Sequence, residues 1–363
     1  MGEADSAYHI TVSDATKDGE VVKFTIQTRT NESPGNEGGG VVVLRQFEDF
    51  EYLLHKLQTT NDVSGVVVPQ LPIKPISTPA DAKAKQPDAV STMSGDQYAR
   101  DCKRVEKFLQ SLASHASFKN DEILKTFLMQ EEAPARAAVK RGLFDSLYKM
   151  VDSARYQNYK DVDEEFQSKR DLIGQLLQHT KTSLVDSEKK LSTENVLAAH
   201  LGIMSTDLRS SSSTDCPNSP LLSSLLSQCG DAIDDCAVRD QKSTLIEAET
   251  LGFSLEFYSR HLAACQEMLF RRTCKMVEYE NAKKALEKAK PKTLEQLTKA
   301  RDDAEKAFDD ISEKAKEEYG IFVEERVKDI SQSLSELVDR KLEIHKSSCD
   351  RLAKAVEELN ASL

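Results

Sequence analysis

The amino-acid sequence predicts two regions of different fold class: a small α+β domain with a three-stranded antiparallel sheet, then an all-α region of three long antiparallel helices. The main evidence is a change of composition near Pro134. Residues 1–133 hold eight of the 14 glycines and six of the 10 prolines. Charge does not mark the boundary, because 1–133 carries 14 basic and 20 acidic residues and 134–363 carries 35 and 41, within a net charge of -12.

Alternating apolar and polar residues predict the strands of the first region. Alternation occurs around Ile10 and Val12 and again from Val22 to Ile26, and a Gly/Asn/Pro-rich stretch (31–40) precedes the apolar run 41–43. The period then becomes helical in FEDFEYLLHKL (47–57), and YARDCKRVEKFLQSLASH (98–115) and DEILKTFLMQ (121–130) predict two more helices. Between the first and second of these helices, a strand-like run (66–68) ends at PQLPIKP (69–75), whose prolines favour an extended loop.

Helical spacing of apolar residues dominates the second region. It predicts one helix from about 154 to 209, a break at SSSSTDCPNSP (210–220), a second helix from 221 to 290, and a third that begins at Thr293 as N-cap. At about 1.5 Å per residue, each helix is roughly 80–100 Å long. A lone helix of this length cannot bury its apolar stripe, so we expect an antiparallel three-helix rod that pairs with a second rod.

Composition and motifs exclude several classes of function. The acidic net charge argues against a nucleic-acid partner. The chain has no run of about 18 apolar residues and begins MGEADSAYHI without the features of a signal peptide, so we expect a cytoplasmic protein. Seven scattered cysteines indicate reduced thiols, and the sequence contains no CxxC, HExxH or phosphate-binding loop. We therefore expect no enzyme, no cofactor and no metal.

Three motifs stand in a fixed order in the first region: VVVLRQFEDFEYLLHKL (41–57), PQLPIKP (69–75) and EKFLQSLASH (106–115). With this order and spacing, the chain resembles the sorting nexins that join a phox-homology (PX) domain to a BAR domain. EMLFRRTCKMVEYENAKKALEKAK (267–290) and FDDISEKAKEEYGIF (308–322) are most similar to the sorting nexin 5/6/32 subgroup. The resemblance places a PX domain at 1–133, an amphipathic linker helix at 134–155 and a BAR domain at 156–363.

The resemblance implies a phosphoinositide site in the PX domain. Where the family uses a basic residue to grip the 3-phosphate, this chain has Gln46, whose amide brings no charge. The last basic position of the family pattern falls on Asp101. We therefore expect weak or atypical phosphoinositide binding. The candidate residues are Arg45, Gln46, Phe47, Lys74, Arg100 and Arg104.

Two basic clusters are candidate membrane-binding surfaces. Segment 135–155 forms a basic amphipathic pattern able to lie on an anionic bilayer, although packing against the rod explains the pattern equally well. Five lysines at the end of the second long helix suit a membrane contact, at about 1 kcal/mol each, but a solvated helix end that complements the macrodipole is the plain alternative. The candidates are Lys140, Arg141, Phe144, Leu147, Lys149 and Arg155 in the linker, and Lys283, Lys284, Lys288, Lys290 and Lys292 at the helix end.

For function, the resemblance implies a non-enzymatic sorting nexin, peripheral on early endosome membranes. A curvature-sensing BAR dimer, paired with a sorting nexin 1/2-type partner, would tubulate membrane in retromer-associated transport to the Golgi or in recycling. The alternative is an adaptor that binds cargo-tail peptides and uses its BAR domain only to dimerise. The subgroup captures such peptides with a helical hairpin after the proline loop, whereas this chain has only 34 residues from Pro75 to Phe108, and Tyr98 is the nearest aromatic candidate.

Overall fold

The computed structural model describes residues 8–18, 21–30, 40–75, 98–133, 159–214 and 219–362. These residues belong to two compact units. The first unit contains the described residues up to 177 together with 260–323, and the second contains 178–259 and 324–362. The N-terminal domain therefore shares a compact unit with one part of the long helices.

Three strands form the antiparallel sheet that the sequence predicts, in the order β1-β2-β3. They are β1 (Tyr8–Asp18), β2 (Val21–Thr30) and β3 (Val41–Gln46). The register places Val12 opposite Ile26 and Ile26 opposite Val43, so alternate apolar side chains share one buried face.

Three helices close the core of this domain: α1 (Phe47–Thr60), α2 (Ala99–Ser114) and α3 (Glu122–Met129). Phe50 lies at the centre of the core. Its ring centroid is 5.9 Å from that of Phe24 in β2, 6.4 Å from that of Phe108 in α2 and 5.6 Å from that of Phe127 in α3. One side chain of α1 therefore joins the sheet to both other helices.

Four long helices follow, of which the second and third are joined by a π-helical turn. They are α4 (Glu164–Thr214), α5 (Pro220–Glu247), α6 (Phe253–Glu287) and α7 (Leu294–Ser362). Residues 159–163 are not helical, and Asp163 Oδ1 accepts the amide of Glu165 at 2.8 Å, so α4 begins later than predicted. The predicted second helix is interrupted at Ala248–Gly252, where the backbone makes the π turn.

Residues 66–68 do not form the expected strand, although all three valines are buried. Val66 and Val68 pack into the core of the N-terminal domain, while the amide of Val67 donates to Glu318 of α7 at 3.1 Å. An unbroken apolar run is typical of backbone buried on both faces. Here the second face is a helix rather than a neighbouring strand.

Candidate functional site

Arg45 lies near the end of β3 with its side chain fully buried. Its guanidinium donates to the backbone carbonyls of Phe127 (2.8 Å), Leu44 (2.9 Å) and Glu131 (3.2 Å), and also to that of Gln130. Burial lowers the pKa of Arg45 from its ordinary value. These contacts hold the end of α3 against the sheet, and they give Arg45 a structural role.

Gln46 and Phe47 lie where β3 meets α1. The backbone amide of Gln46 donates to Asp49 Oδ2 at 2.8 Å, as part of a capping box at the start of α1. Lys74 Nζ lies 5.9 Å from the centroid of the Phe47 ring, so the structure brings together the aromatic residue and the loop lysine of the candidate site. The same nitrogen is 2.9 Å from Glu48 Oε1. A carboxylate of the chain itself therefore neutralises this lysine.

The basic candidates on α2 have a similar environment. Arg104 Nη1 is 2.6 Å from Asp101 Oδ1, and the two side chains are 17% and 14% exposed. Arg100 is half-buried on the same helix. Asp101 thus stands where the sequence pattern expects the last basic contact, and it pairs with Arg104.

Tyr98, the candidate for cargo binding, directly precedes α2 and is 6% exposed. It packs into the core with Cys102 and Val105, and burial raises the pKa of its hydroxyl. The structure thus gives Tyr98 a core position with little surface for a peptide to contact.

The lysines at the end of α6 and in the connection to α7 are all exposed. We call these five residues the lysine cluster; they are Lys283, Lys284, Lys288, Lys290 and Lys292. Lys284 lies 3.8 Å from Glu280, which is a loose ion pair. The candidate residues of the linker, from Lys140 to Arg155, lie outside the described part of the chain. Across the part that the structure does describe, no helix is both long and apolar enough to cross a bilayer.

Sequence reasoning missed the contacts that hold the loop 62–71 on α6 and α7. Glu318 of α7 accepts the amide of Val67 and lies 3.2 Å from Nε2 of His115. Arg271 of α6 donates to the carbonyls of Val66 at 2.6 Å and Ser64 at 3.3 Å. We call Glu318 and Arg271 the loop clamp. The sequence did contain a signal: Glu318 falls on the apolar helix face of Ile311, Ala315 and Phe322. A carboxylate at such a position indicates a polar partner.

Arg272, next to the clamp, is buried and bound to Asp161 at 2.6 Å. Its guanidinium carbon lies 3.5 Å from the centroid of Phe166 and 4.8 Å from that of Phe308. Burial lowers the pKa of Arg272, and the charge of Asp161 opposes this. Although Arg271 and Arg272 precede the lysine cluster in sequence, both are committed to packing within the first unit.

In the second unit, α7 presents exposed apolar side chains at helical spacing. We call them the α7 stripe; they are Val327, Leu334, Val338, Leu342 and Val356, of which Val338 is 60% exposed. A long apolar stripe open to solvent is typical of a protein interface. No group of three or more His, Cys, Asp or Glu suited to a metal occurs among the residues that the structure describes.

Comparisons with known proteins agree with this architecture. The model of the PX domain family matches residues 34–131. Sorting nexin-6 of Homo sapiens is 23% identical over 381 residues, which cover 99% of this chain and 93% of the relative. Sorting nexin-32 of Homo sapiens is 25% identical over 384 residues, which cover 95% and 91%. The cryo-EM structure of the SNX-BAR Mvp1 tetramer matches 96% of this chain and 99% of its own with a TM-score of 0.59 at 13% identity, a likeness in fold.

The three-stranded sheet with its helices matches the PX domain, and with the long helices that follow it the chain has the fold of an SNX-BAR protein. Proteins of this class associate with membranes in trafficking, bind phosphoinositide membranes through the PX domain, and form dimers. Within the class, the chain is similar over nearly its whole length to sorting nexin-6 and sorting nexin-32. The resemblance to PX-BAR sorting nexins that the sequence motifs indicate is thereby confirmed.

Proposed function

We propose that this sorting nexin is held on early endosome membranes by several weak contacts rather than by one tight lipid site. The observation that carries the proposal is a contrast within the first unit. The lysine cluster is exposed, whereas Lys74 and Arg104 of the PX domain are each paired with a carboxylate.

The lysine cluster contributes more to electrostatic attraction by an anionic membrane than the paired basic residues of the PX domain do. Each lysine near an anionic surface contributes about 1 kcal/mol, and the contribution declines beyond the Debye length. The rest of the chain opposes approach to such a surface, because the net charge is -12. Attachment therefore depends on the local cluster, and dimerisation multiplies it because a second set of contacts binds at high effective concentration.

The physiological assembly is a heterodimer with a sorting nexin 1/2-type partner, which adds stronger phosphoinositide binding. The α7 stripe is the dimer surface of this chain, since its exposed apolar side chains need a partner helix. In this assembly the protein acts without a catalytic step, as a membrane-curving scaffold in retromer-associated transport of cargo to the Golgi or in recycling. The linker segment 134–155 adds a further membrane contact through its basic amphipathic pattern.

Charge reversal of the lysine cluster tests the membrane contact. We expect the variant Lys283→Glu, Lys284→Glu, Lys288→Glu to lose sedimentation with anionic liposomes, because about 3 kcal/mol of attraction becomes repulsion. Dimerisation, measured by size-exclusion light scattering, stays as in the parent chain, since these side chains lie outside the α7 stripe.

A matched control keeps the change in total charge and alters its position. Lys328→Glu, Lys346→Glu and Lys354→Glu reverse three exposed lysines of α7. Equal loss of sedimentation in both triple variants would show that bulk charge controls binding and would reject the cluster. Unchanged sedimentation of the first variant would reject the membrane contact and favour the adaptor alternative, in which the helices only dimerise.

A further inference from the structure

We propose that the groove between α1 and α3 of the PX domain binds a helical segment of a partner protein in which apolar side chains are flanked by basic residues. We call this surface the α1–α3 groove; it encloses about 520 Å³. Of the described residues that line it, none is a candidate phosphoinositide residue, and Tyr98 is not among them. The inference goes beyond the proposed membrane contact, because its ligand is a peptide.

The two helices that form the groove lie side by side and run in opposite directions. Asn61, the C-cap of α1, donates to Asp121, the N-cap of α3, with 2.7 Å between Nδ2 and Oδ2. Next to the start of α1, Arg45 donates to the carbonyl of Phe127 near the end of α3. Both ends of the helix pair are thus fixed by the chain itself. A groove between two packed helices accepts the apolar face of a third helix.

The lining of the groove offers apolar surface to such a helix. Leu53 and Phe127 contribute buried side chains, and Tyr52 and Ile123 contribute half-buried ones. Thr126, which also lines the groove, is exposed, so the groove is open along α3 and is not an enclosed cavity. Its volume is within the range of ligand sites. An occupant can therefore enter from the side, as a peptide does.

The charges along the groove favour a basic occupant. Glu122 and Glu132 line it and are exposed, whereas Lys56 is the basic residue among the described lining. An adjoining cavity of about 480 Å³ shares Glu122 with the groove and adds Asp121. Glu122 also lies 3.4 Å from Lys125, but this exposed ion pair contributes little energy. Negative charge therefore prevails at the rim, and a cation of the ligand would be attracted there.

This charge separates the proposed occupant from other ones. An anionic lipid or a phosphate would be repelled by the two glutamates of the rim. A second copy of the chain is a poor complement, because its net charge is -12. Segments next to a membrane span on the cytoplasmic side carry an excess of lysine and arginine. The occupant that fits is thus the basic, apolar stretch of a cytoplasmic tail close to its membrane span.

A titration of the full chain with two labelled synthetic peptides, followed by fluorescence anisotropy, tests the charge recognition. One helical peptide has leucines at positions i, i+3, i+4 and i+7 and arginines at both ends, and the second has glutamates in place of the arginines. We expect Glu122→Gln, Glu132→Gln to bind the arginine peptide about fivefold more weakly, because two exposed charge contacts are lost. The matched control Glu343→Gln, Glu357→Gln removes two exposed charges of α7 and should not change binding.

A second pair of variants tests the position of the peptide. We expect Thr126→Arg to weaken binding of the arginine peptide by about tenfold or more, because the new side chain fills the groove and repels the arginines. Thr193→Arg makes the same change at an exposed threonine of α4 and should leave binding unchanged. Thermal unfolding checks the fold of each variant. The exposed glutamate variant keeps the test decisive if Thr126→Arg folds poorly.

Weakening that is confined to the groove variants and to the arginine peptide supports the inference. Equal weakening in the controls, equal binding of the glutamate peptide, or no binding of the arginine peptide to the parent chain overturns it. Tighter binding of a synthetic peptide of residues 135–155, with the same dependence on Glu122 and Glu132, would assign the groove to the chain's own linker and overturn the partner. The titration contains no membrane, so its result is independent of the liposome sedimentation that tests the proposed function.

Discussion

At the scale of single residues, Glu318 shows how one carboxylate joins the PX domain to the long helices. Its side chain is 10% exposed and faces the ring of His115, the amide of Val67 and, on its own helix, Lys314. Burial raises the pKa of this carboxyl, but the hydrogen bond and charge of His115, with the Val67 amide, lower it more. The net pKa therefore lies below the ordinary value.

The direction in which stability changes with pH follows from the lowered pKa of Glu318. A carboxyl with a folded-state pKa below its unfolded value adds stability above the unfolded pKa, about 4.3, and loses it as the pH falls through the folded pKa. We expect Glu318→Gln to lower the free energy of unfolding by about 1–2 kcal/mol near pH 6. We expect the difference from the parent chain to disappear toward about pH 3, as measured by urea unfolding.

Glu317→Gln is the control, because Glu317 is exposed next to Glu318 on the same helix. It should leave the unfolding free energy unchanged at both pH values. A Glu318→Gln effect of constant size across the pH range would contradict a charge-dependent contact.

The residue scale also shows what sequence reasoning could not reach. A basic residue at position 45 was identified from the motif, yet three of the four carbonyls that it contacts lie more than 80 positions away, among them those of Phe127 and Glu131. Arg271 and Arg272 likewise have partners around Val66 and at Asp161. Local pattern identifies a charged side chain, but only the tertiary fold decides whether it meets solvent or backbone.

At the scale of elements, Gly65 marks how closely the loop approaches α7. A Cβ atom at this position would lie 2.9 Å from Cβ of Lys314 and 3.1 Å from the backbone nitrogen of Ala315. Helix backbone cannot move aside as a flexible side chain can. The loop clamp therefore depends on the absence of a side chain at residue 65.

We expect Gly65→Val to push the loop from α7 and to break the contacts of Val66 and Val67 with the clamp. Amide exchange in 62–71 should accelerate about tenfold or more, because overpacking costs about 1–3 kcal/mol. Amides of β2 should keep their protection, as followed by hydrogen-exchange mass spectrometry. Gly320→Val is the matched control on α7, since nothing lies within 4 Å of a Cβ there. Unchanged exchange in Gly65→Val would mean that the loop is not held by the helices.

The spacing of apolar residues predicts the helices and strands whose buried face is set by their own sequence. The three strands, α1, the end of α6 and the start of α7 lie within a few residues of the positions predicted from the sequence pattern. Residues 66–68 and the π turn at Ala248–Gly252 depart from it. The first needs a distant helix as its second covering face, and the second widens one turn inside a long helical pattern. Periodicity alone predicts neither feature.

At the scale of the whole molecule, the α7 stripe is expected to control assembly. We expect Val338→Glu to raise the dissociation constant of the dimer by about 100-fold or more, because a carboxylate would be buried without a partner. Size-exclusion light scattering, of the chain alone and mixed with a sorting nexin 1/2-type protein, measures the change. Liposome binding should decrease in parallel through lost avidity.

Ile321→Glu serves as control, since Ile321 is 49% exposed on α7 but lies off the stripe. Its molar mass in solution should equal that of the parent chain. If the Val338→Glu variant keeps the molar mass of the parent chain in solution, the α7 stripe is ruled out as the dimer surface.

The loop clamp has a geometric consequence for a membrane-bound chain. Arg271, which holds the PX loop, and Lys284 of the lysine cluster are on one continuous helix, α6, and 13 residues of helix span about 20 Å. The head and the cluster therefore cannot drift apart, as they could on a flexible tether. In the membrane-bound state proposed above, the PX domain and the lysine cluster would meet the bilayer at a fixed interval, so anionic lipid would be needed at two points together. We therefore expect binding of this chain to depend on the surface density of anionic lipid more than on the identity of a single lipid.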